Sequence, residues 1–317
     1  MKPGEAVAWI KNTARDIGFT HAGIARAEAL DGEGTHLDEW LQRGYHASMS
    51  WMTTNSEKRK NPLSVLPSAR SIICCAVNYY HPYTHRDEPE IGKISRYAWG
   101  DDYHEVLLAM LETLEDSIHK NFPSIETWSY TDTGPVMEKA WAVRAGIGWL
   151  GRHTNIITRD TGSWIFLGEI ITSLDLLPDT PVADYCGSCT KCIEACPTQA
   201  IVEPYVVDSS KCLSYLTIEH RGDIDPVFTS AFNGWIYGCD ICQDVCPWNR
   251  KFSATSSIGA FAPREGTPAP PLHEWKKMTR EDFSVRFSHS AIRRTKHEGL
   301  QRNIACAMGR KNQSGRS

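Results

Sequence analysis

Apolar residues recur with two different spacings along the first half of the chain. Residues 3–17 and 102–121 carry apolar side chains every three or four positions, which predicts two amphipathic helices because this spacing places them on one helix face. Asp101 or Asp102 can cap the second helix. Other apolar runs have the length and composition of strands, at residues 20–26, 70–80, 124–131, 154–159 and 164–172.

Strands and helices that alternate through residues 1–175 predict a mixed domain of the α/β or α+β class. A third helix is expected to start at Pro135, since proline is favoured in the first helical turn, and to continue to Ala145. The segment 253–272 is rich in Ser, Gly, Pro and Ala, which predicts a linker, and the helical spacing then returns. We therefore expect three parts, at residues 1–175, 176–252 and 253–317.

Charge separates the end of the chain from the rest. The 317 residues carry a formal net charge of −4, but residues 275–317 contain eleven Lys and Arg against three acids. A basic segment on an acidic body is typical of a contact with a polyanion, although a solvated helix face would carry the same charges. The N-terminus has no apolar leader and no stretch reaches the ~18 apolar residues of a membrane span, so we expect a cytoplasmic protein.

Seven of the eleven cysteines fall in two runs, Cys-x2-Cys-x2-Cys-x3-Cys-Pro and Cys-x2-Cys-x3-Cys-Pro, and an eighth lies between them. This pattern is typical of two 4Fe-4S clusters, because two-residue spacers let one loop present three sulfurs to one cluster. Zinc sites and disulfides rarely show these spacings before a proline.

In the bacterial two-cluster pattern, the cysteine before proline ligates the other cluster. The second run lacks the first cysteine of the regular motif, and the cysteine between the runs can replace it. We therefore predict one cluster on Cys186, Cys189, Cys192 and Cys246, and another on Cys196, Cys212, Cys239 and Cys242. The remaining cysteines, Cys74, Cys75 and Cys306, are expected to be packed as small apolar residues.

Two further motifs bear on ligand binding. Gly146-Ile-Gly148-Trp-Leu-Gly151 has the spacing of a dinucleotide-binding loop, but it follows a predicted helix and precedes a strand, which is the wrong order, so no nucleotide cofactor is expected. Asp132 follows the predicted strand 124–131, and open α/β sheets bind ligands beyond the carboxyl ends of their strands. A role in a turn or a helix cap is the alternative for Asp132, because Pro135 follows closely.

Several blocks of the sequence together resemble the epoxyqueuosine reductase family, and the resemblance covers nearly the whole chain. They are Ser95-Arg-Tyr-Ala-Trp-Gly-Asp-Asp-Tyr-His104, Tyr130-Thr-Asp-Thr-Gly-Pro135, Arg144-Ala-Gly-Ile-Gly-Trp-Leu-Gly-Arg-His-Thr154, Gly162-Ser-Trp-Ile-Phe-Leu-Gly-Glu169 and Cys212-Leu-Ser-Tyr-Leu-Thr-Ile-Glu219. The resemblance implies a cobalamin cofactor beside the two clusters, and reductive removal of the epoxide oxygen from epoxyqueuosine at the wobble position of a tRNA anticodon.

The resemblance also implies roles for individual residues. Asp132 matches the proton donor of the family, and we expect an apolar pocket to keep its carboxyl protonated. The residues expected to lie around the corrin are Arg59, Ser95, Asp132, His153, Asn155 and Ser214, with the backbone near Asp240 and Ile241. For His153 a structural hydrogen bond is the alternative, and Tyr103 and His104 could equally cap and anchor the long helix. No histidine ligand from a D-x-H-x-x-G loop is expected for the cobalt.

The implied partners are tRNA and a reduced electron donor such as flavodoxin or ferredoxin. The protein itself is expected to be a monomer. Longer family members carry several HEAT-like helical repeats, whereas this chain has only the beginning of one from Ile292, so we expect the last helices to pack on the body. Two other functions remain open. A reductive dehalogenase would use the same cofactors on a small molecule, and an electron-transfer protein would bind no corrinoid.

Overall fold

The computed structural model describes residues 2–309, so the predicted basic residues Arg310, Lys311 and Arg316 lie outside the described part. Within that part the chain forms helices and strands joined by loops and short 3-10 turns. The helices are α1 (Pro3–Ile17), α2 (Asp31–Gln42), α3 (Ser56–Lys60), α4 (Tyr103–Asn121), α5 (Glu138–Arg144), α6 (Lys191–Ala195), α7 (Leu213–Ile218), α8 (Ile241–Asp244), α9 (Pro247–Phe252), α10 (Leu272–Trp275), α11 (Arg280–Arg286) and α12 (Lys296–Met308). The strands are β1 (His21–Arg26), β2 (Ser71–Asn78), β3 (Lys93–Ile94), β4 (Thr127–Tyr130), β5 (Trp149–Leu150), β6 (Ile156–Ile157), β7 (Ile165–Thr172), β8 (Ile201–Glu203), β9 (Val206–Val207) and β10 (Trp235–Tyr237).

The central sheet has the strand order β1-β2-β7-β4, and all three pairings are antiparallel. The first part of the chain is therefore an α+β domain. The rule for open α/β sheets, which the sequence suggested for Asp132, does not apply to this sheet. Asp132 still lies just beyond the end of β4, at an edge of the sheet, because β4 ends at Tyr130.

Strand β2 explains why one sequence run is apolar without alternation. Its eight residues are all buried, because helices cover both faces of the sheet. Ile73, Cys75 and Val77 pack under α1 and α4, whereas Ile72 and Cys74 pack under α5. The predicted burial of the two strand cysteines is confirmed, and Cys306 in α12 is half-buried.

Helices α1 and α4 agree closely with the predicted helices at residues 3–17 and 102–121. Helix α4 begins at Tyr103, and the side chain of Asp102 caps it by accepting a hydrogen bond from the backbone N–H of His104 at 3.1 Å. The third predicted helix begins at Glu138 rather than at Pro135. The intervening residues form a loop over the sheet edge, and this loop carries Asp132.

The C-terminal segments pack on the body. Residues 253–272, predicted to be a linker, are held by contacts such as the hydrogen bond from Ser256 N–H to Tyr80 O at 2.7 Å, and Phe261 lies in the core. Helix α12 packs on β10, where Asn303 Nδ2 donates to Ile236 O at 2.8 Å. The last described helices therefore bury their apolar faces on the body, as expected. None of the helices within residues 2–309 has the length and apolar character needed to cross a membrane.

The close packing of α5 on the sheet generates a prediction about stability. A Cβ atom placed on Gly23 in β1 would lie 2.1 Å from the backbone oxygen of Ala145, so Gly23→Ala should force α5 away from the sheet. Overpacking of this kind typically costs about 1–3 kcal/mol, so we expect a lower melting temperature. Gly32→Ala is the matched control, because a Cβ atom there meets nothing within 4 Å. Equal melting temperatures for the two variants would contradict this packing.

Candidate active site

A cavity of ≈ 360 Å³ lies where the sheet, the loop after β4 and the cysteine-rich loops meet. Most of the residues predicted around the corrin line this one cavity, although they come from distant parts of the sequence. They are Ser95, Asp132, His153, Asn155, Ser214 and Ile241. Aromatic and apolar side chains such as Tyr97 and Phe166 complete the wall.

The cysteines divide between two cavities in the same way as the predicted ligand sets. Cys196, Cys212, Cys239 and Cys242 line the large cavity. Cys186, Cys189, Cys192 and Cys246 line a second cavity of ≈ 180 Å³. His153 lies between the two cavities and borders both. Through residues 2–309 no three Cys, His, Asp or Glu side chains converge on a single-ion site.

Within the large cavity, His153 presents a polar atom that has no protein partner. Its Nδ1 accepts a hydrogen bond from the backbone N–H of Asn155 at 3.2 Å, whereas its buried Nε2 has none. Burial, and then the charge of Lys139, lower the pKa of His153 to about 4, so the ring is neutral and Nε2 carries the proton. Buried donors are rarely left unpaired, so this N–H is available to a group in the cavity.

Asp132 is held in an unusual backbone conformation at the cavity wall. Its φ is 55°, in the left-handed region, and its side chain is 56% exposed because it faces the open cavity. Tyr103 Oη donates to Asp132 Oδ2 at 2.6 Å, and His104 Nε2 lies 3.0 Å from the same oxygen. The backbone N–H of Asp132 donates to Glu138 Oε1 in a short hydrogen bond. Tyr103 and His104 therefore belong to the site as well as to the start of α4.

The expectation that Asp132 stays protonated is wrong for this arrangement. Burial alone would raise its pKa, but hydrogen bonds from His104 and Tyr103 outweigh that effect and lower the pKa. Burial likewise opposes the charge of His104, yet hydrogen bonds to Asp102 and Asp132 raise its pKa to about 9. Near neutral pH, the proton that His104 and Asp132 share resides on the histidine.

Sequence reasoning missed three charged residues near the site. Burial, and then the charge of Asp132, raise the pKa of Glu138 to about 8. Glu169 in β7 is 0% exposed and neither of its carboxyl oxygens has a hydrogen-bond partner, and burial raises its pKa well above the ordinary range. Lys139 lines the cavity and donates to Asn155 Oδ1 at 3.2 Å. A glutamate inside the apolar run of β7 was a signal that could have been read from the sequence.

Two predicted cofactor-binding residues lie outside the cavity wall. The side chain of Asp240 is 0% exposed and accepts hydrogen bonds from Arg96 N–H at 2.9 Å and from Arg96 Nη1 at 3.0 Å. Only its neighbour Ile241 reaches the cavity. Arg59 Nη1 lies 3.4 Å from the backbone oxygen of Gly134, so Arg59 supports the Asp132 loop from outside. The side chain of Asp240 therefore serves as the ion-pair partner of Arg96 and does not contact the cavity, because a fully buried carboxylate needs a charged partner.

Several basic residues of the C-terminal segment are used within the protein. Arg294 forms a two-pronged ion pair with Glu219 at 2.8 and 2.9 Å, and Arg302 donates to backbone oxygens around residues 216–222. Arg293 and Lys296 are exposed. The basic character predicted from the sequence is therefore only partly available to another molecule.

Comparison with known proteins identifies relatives over almost the full length of the chain. A family model described as epoxyqueuosine reductase QueG matches residues 59–133, and one described as a 4Fe-4S double cluster binding domain matches residues 185–249. The epoxyqueuosine reductase of Synechocystis sp. is 49% identical over 284 residues, which is 89% of this chain and 98% of that protein. That of Shigella dysenteriae is 38% identical and covers 95% of this chain and 80% of its own length.

Solved structures give the same result. A crystal structure of an epoxyqueuosine reductase with an epoxyqueuosine-modified tRNA-Tyr stem loop has a TM-score of 0.90 and 32% identity, and covers 97% of this chain and 82% of that chain. A Bacillus subtilis epoxyqueuosine reductase, with its catalytic aspartate loop swung out of the active site, has a TM-score of 0.91 and 31% identity. It covers 99% of this chain and 84% of that chain.

Proposed function

The chain belongs to the epoxyqueuosine reductase family, and from this premise we propose that it reduces epoxyqueuosine to queuosine at the wobble position of tRNA anticodons. The observation that carries the proposal is the large cavity itself. It brings Asp132, a ring of hydroxyl and amide side chains, and the four cysteines Cys196, Cys212, Cys239 and Cys242 to one space. An acid, a cofactor pocket and an electron entry point are the parts that a reductive deoxygenation needs.

The donor atoms fit two 4Fe-4S clusters and a corrinoid. Each cavity is lined by four cysteines, which is the ligand number of one such cluster. The unpartnered Nε2–H of His153, with the hydroxyls of Ser95 and Ser214 and the amide of Asn155, can hydrogen-bond a corrin rim. Cobalamin, when bound there, supplies the reductive chemistry at the epoxide, and the clusters supply single electrons from a reduced carrier such as flavodoxin or ferredoxin. We propose that the cobalt takes no histidine from a D-x-H-x-x-G loop.

The reaction sets a definite demand for protons. Two C–O bonds of the epoxide break, one C=C bond forms, and the oxygen leaves as water, so each turnover takes up two electrons and two protons. Asp132 and Glu138 both line the cavity, and Tyr103 Oη and His104 Nε2 both point at Oδ2 of Asp132. We assign Asp132 the transfer of protons to the epoxide oxygen. Its carboxylate must first take a proton, because His104 and Tyr103 keep its pKa low.

The nucleic acid would reach the cavity as a single modified base. Bases in an RNA loop can be splayed out and stacked in a pocket, which suits a cavity lined by aromatic side chains. Lysine and arginine side chains contribute to such complexes chiefly through the phosphate backbone. We assign that role within α12 and the turn before it to the exposed Arg293 and Lys296.

The family relationship favours this function over the two alternatives. A dehalogenase acting on a small molecule and a simple electron-transfer protein share the cysteine pattern, but the relatives from Synechocystis sp. and Shigella dysenteriae, 49% and 38% identical over most of this chain, are epoxyqueuosine reductases. A monomeric state and a cytoplasmic location remain predictions.

The cluster assignment can be tested by counting iron in paired cysteine variants. Wild-type protein prepared without oxygen should hold about eight irons per chain. Cys186→Ala with Cys246→Ala removes two ligands of one proposed cluster and should lose about four irons, whereas Cys239→Ala with Cys246→Ala should lose about eight. Cys306→Ala is the control and should lose none. The reverse result for the two double variants would show that Cys246 belongs with Cys239 and Cys242.

The role of Asp132 can be tested by Asp132→Asn, which is nearly isosteric but carries no acidic proton. We expect intact clusters and cobalamin, an unchanged melting temperature, and a loss of conversion of about 10²–10⁴-fold, the usual contribution of a general acid. Asp160→Asn is a matched control, because Asp160 pairs with His21 at 2.8 Å outside the cavity. Wild-type turnover in Asp132→Asn, with both cofactors bound, would remove Asp132 from the mechanism.

Binding of RNA by the C-terminal segment can be tested by its dependence on salt. If Arg293 and Lys296 each neutralise one phosphate, replacing both by Gln should flatten the slope of log affinity against log salt by about 1.4–1.8. Arg15→Gln with Arg26→Gln removes the same charge from exposed positions in α1 and β1 and should leave the slope unchanged. An equal slope in both double variants would assign Arg293 and Lys296 to a solvated surface.

A further inference from the structure

Removal of the epoxide oxygen as water needs two protons, but the carboxyl group of Asp132 can hold only one. This inference rests on the proposed function. Asp132 is ionised in the arrangement seen, because its neighbours lower its pKa. Asp132 must therefore take up a proton twice in each turnover, and a neighbouring group that holds a proton near neutral pH can supply it.

His104 is the group best placed for this task. Its ring lies between two carboxylates, with Nδ1 2.7 Å from Asp102 Oδ1 and Nε2 3.0 Å from Asp132 Oδ2. The ring stacks on Tyr103 with 4.0 Å between centroids, and Asp102 also caps the helix that carries the histidine. Both ring nitrogens are thus fixed on carboxylate oxygens, which forms a continuous row from Asp102 through His104 to Asp132.

We propose that His104 is the proton store that recharges Asp132 before each of the two proton transfers to the substrate. It acts through Asp132 and is therefore a positioning residue. The Nε2–H bond of the imidazolium breaks, and an Oδ2–H bond of Asp132 forms. Asp132 then passes this proton to the substrate oxygen. The neutral imidazole regains a proton from solvent, to which its side chain is 32% exposed, and the same two transfers follow for the second proton.

Tyr103 cannot take this part, although it donates to the same oxygen. Burial, and then the charge of Asp132, raise its pKa well above the ordinary range, so the phenol keeps its proton. Tyr103 instead holds Oδ2 in place. Glu138 contacts the loop through the backbone N–H of Asp132, not through the carboxylate. Among residues 2–309, only His104 combines a hydrogen bond to the carboxylate of Asp132 with a transferable proton near neutral pH.

The charges that surround the row come from several elements. Several other titratable or charged groups from different elements face His104 and Asp132. They are Arg59 in α3, Tyr97 before α4, Tyr103 at the start of α4, Glu138 and Lys139 in α5, and Arg294 before α12. Two carboxylates in contact with the ring outweigh its burial, so the pKa of His104 is about 9. The imidazolium is accordingly the main form below that pH.

The first experiment is the pH profile of conversion of epoxyqueuosine tRNA by pre-reduced holoenzyme in a single turnover. The wild-type rate should be steady near neutral pH and fall as the pH rises through about 9, because His104 then loses its proton. His104→Gln keeps an N–H donor for Asp132 but carries no transferable proton. Its rate should rise only as the pH falls, since Asp132 must then be protonated directly from solvent.

Two controls separate this role from neighbouring effects. His119→Gln changes another histidine of α4, whose Nε2 lies 2.7 Å from Thr127 Oγ1. This variant should keep the wild-type pH profile. Glu138→Gln removes a nearby carboxyl group whose pKa is raised to about 8, and should leave the alkaline limb in place. A His104→Gln enzyme that is slower by one factor at every pH would overturn the proposal, because a purely structural role predicts that pattern.

The second experiment needs no turnover. NMR of histidine-labelled holoenzyme should show one ring, absent in His104→Gln, with a pKa of about 9, and Asp132→Asn should lower that pKa. The raised pKa should also stabilise the fold below about 6.5, an effect lost as the pH rises through about 9. A His104 pKa near 6.5 would overturn the inference. Absence of turnover in the wild type would overturn the proposed function, and the titration would still decide the inference.

Discussion

The cavity depends on one buried ion pair that joins the α+β domain to the cysteine-rich loops. Arg96 directs its backbone N–H and its guanidinium at the carboxylate of Asp240, and Nη1 also reaches Asp244 at 2.8 Å. Ser95, beside Arg96, and Ile241, beside Asp240, then form opposite parts of one wall. Removing one partner of such a pair is costly, about 3–5 kcal/mol, because the other charge is left buried. The pair therefore holds the segment of Ser95 and Arg96 against the segment of Asp240 and Ile241.

A second consequence of burial is the distribution of protons around Asp132. Carboxyl groups crowd this end of the sheet, and a low dielectric disfavours charge on all of them together. Asp132 keeps its charge because His104 and Tyr103 hydrogen-bond its carboxylate, whereas burial keeps Glu138 and Glu169 largely neutral. The loop can present one ionised acid to the cavity because its neighbours hold the remaining protons. Its left-handed backbone at Asp132 is maintained by the contact with Glu138.

The sequence predicted elements whose apolar pattern is long and regular. Helices α1 and α4 and strands β2 and β7 agree with the expectation to within one or two residues at most ends, since local spacing decides which face is buried. Prediction failed where tertiary contacts override local signals. Pro135 lies in a loop rather than in the first turn of α5, and residues 253–272 have a linker composition yet are held against the body. The antiparallel order of the sheet also has no local signature.

The sequence by itself indicated the family, the cysteine pattern and Asp132 as a candidate acid, because these depend on residue type and spacing along the chain. Only the tertiary structure decided which side chains share a cavity and which ionisable groups are protonated. It separated Ile241, which lines the cavity, from Asp240, which does not, and it placed His104 against Asp132. A pKa is set by burial and by charges a few ångströms away, and both are properties of packing between distant segments. The acid expected to be protonated is therefore ionised, and its proton resides on a histidine.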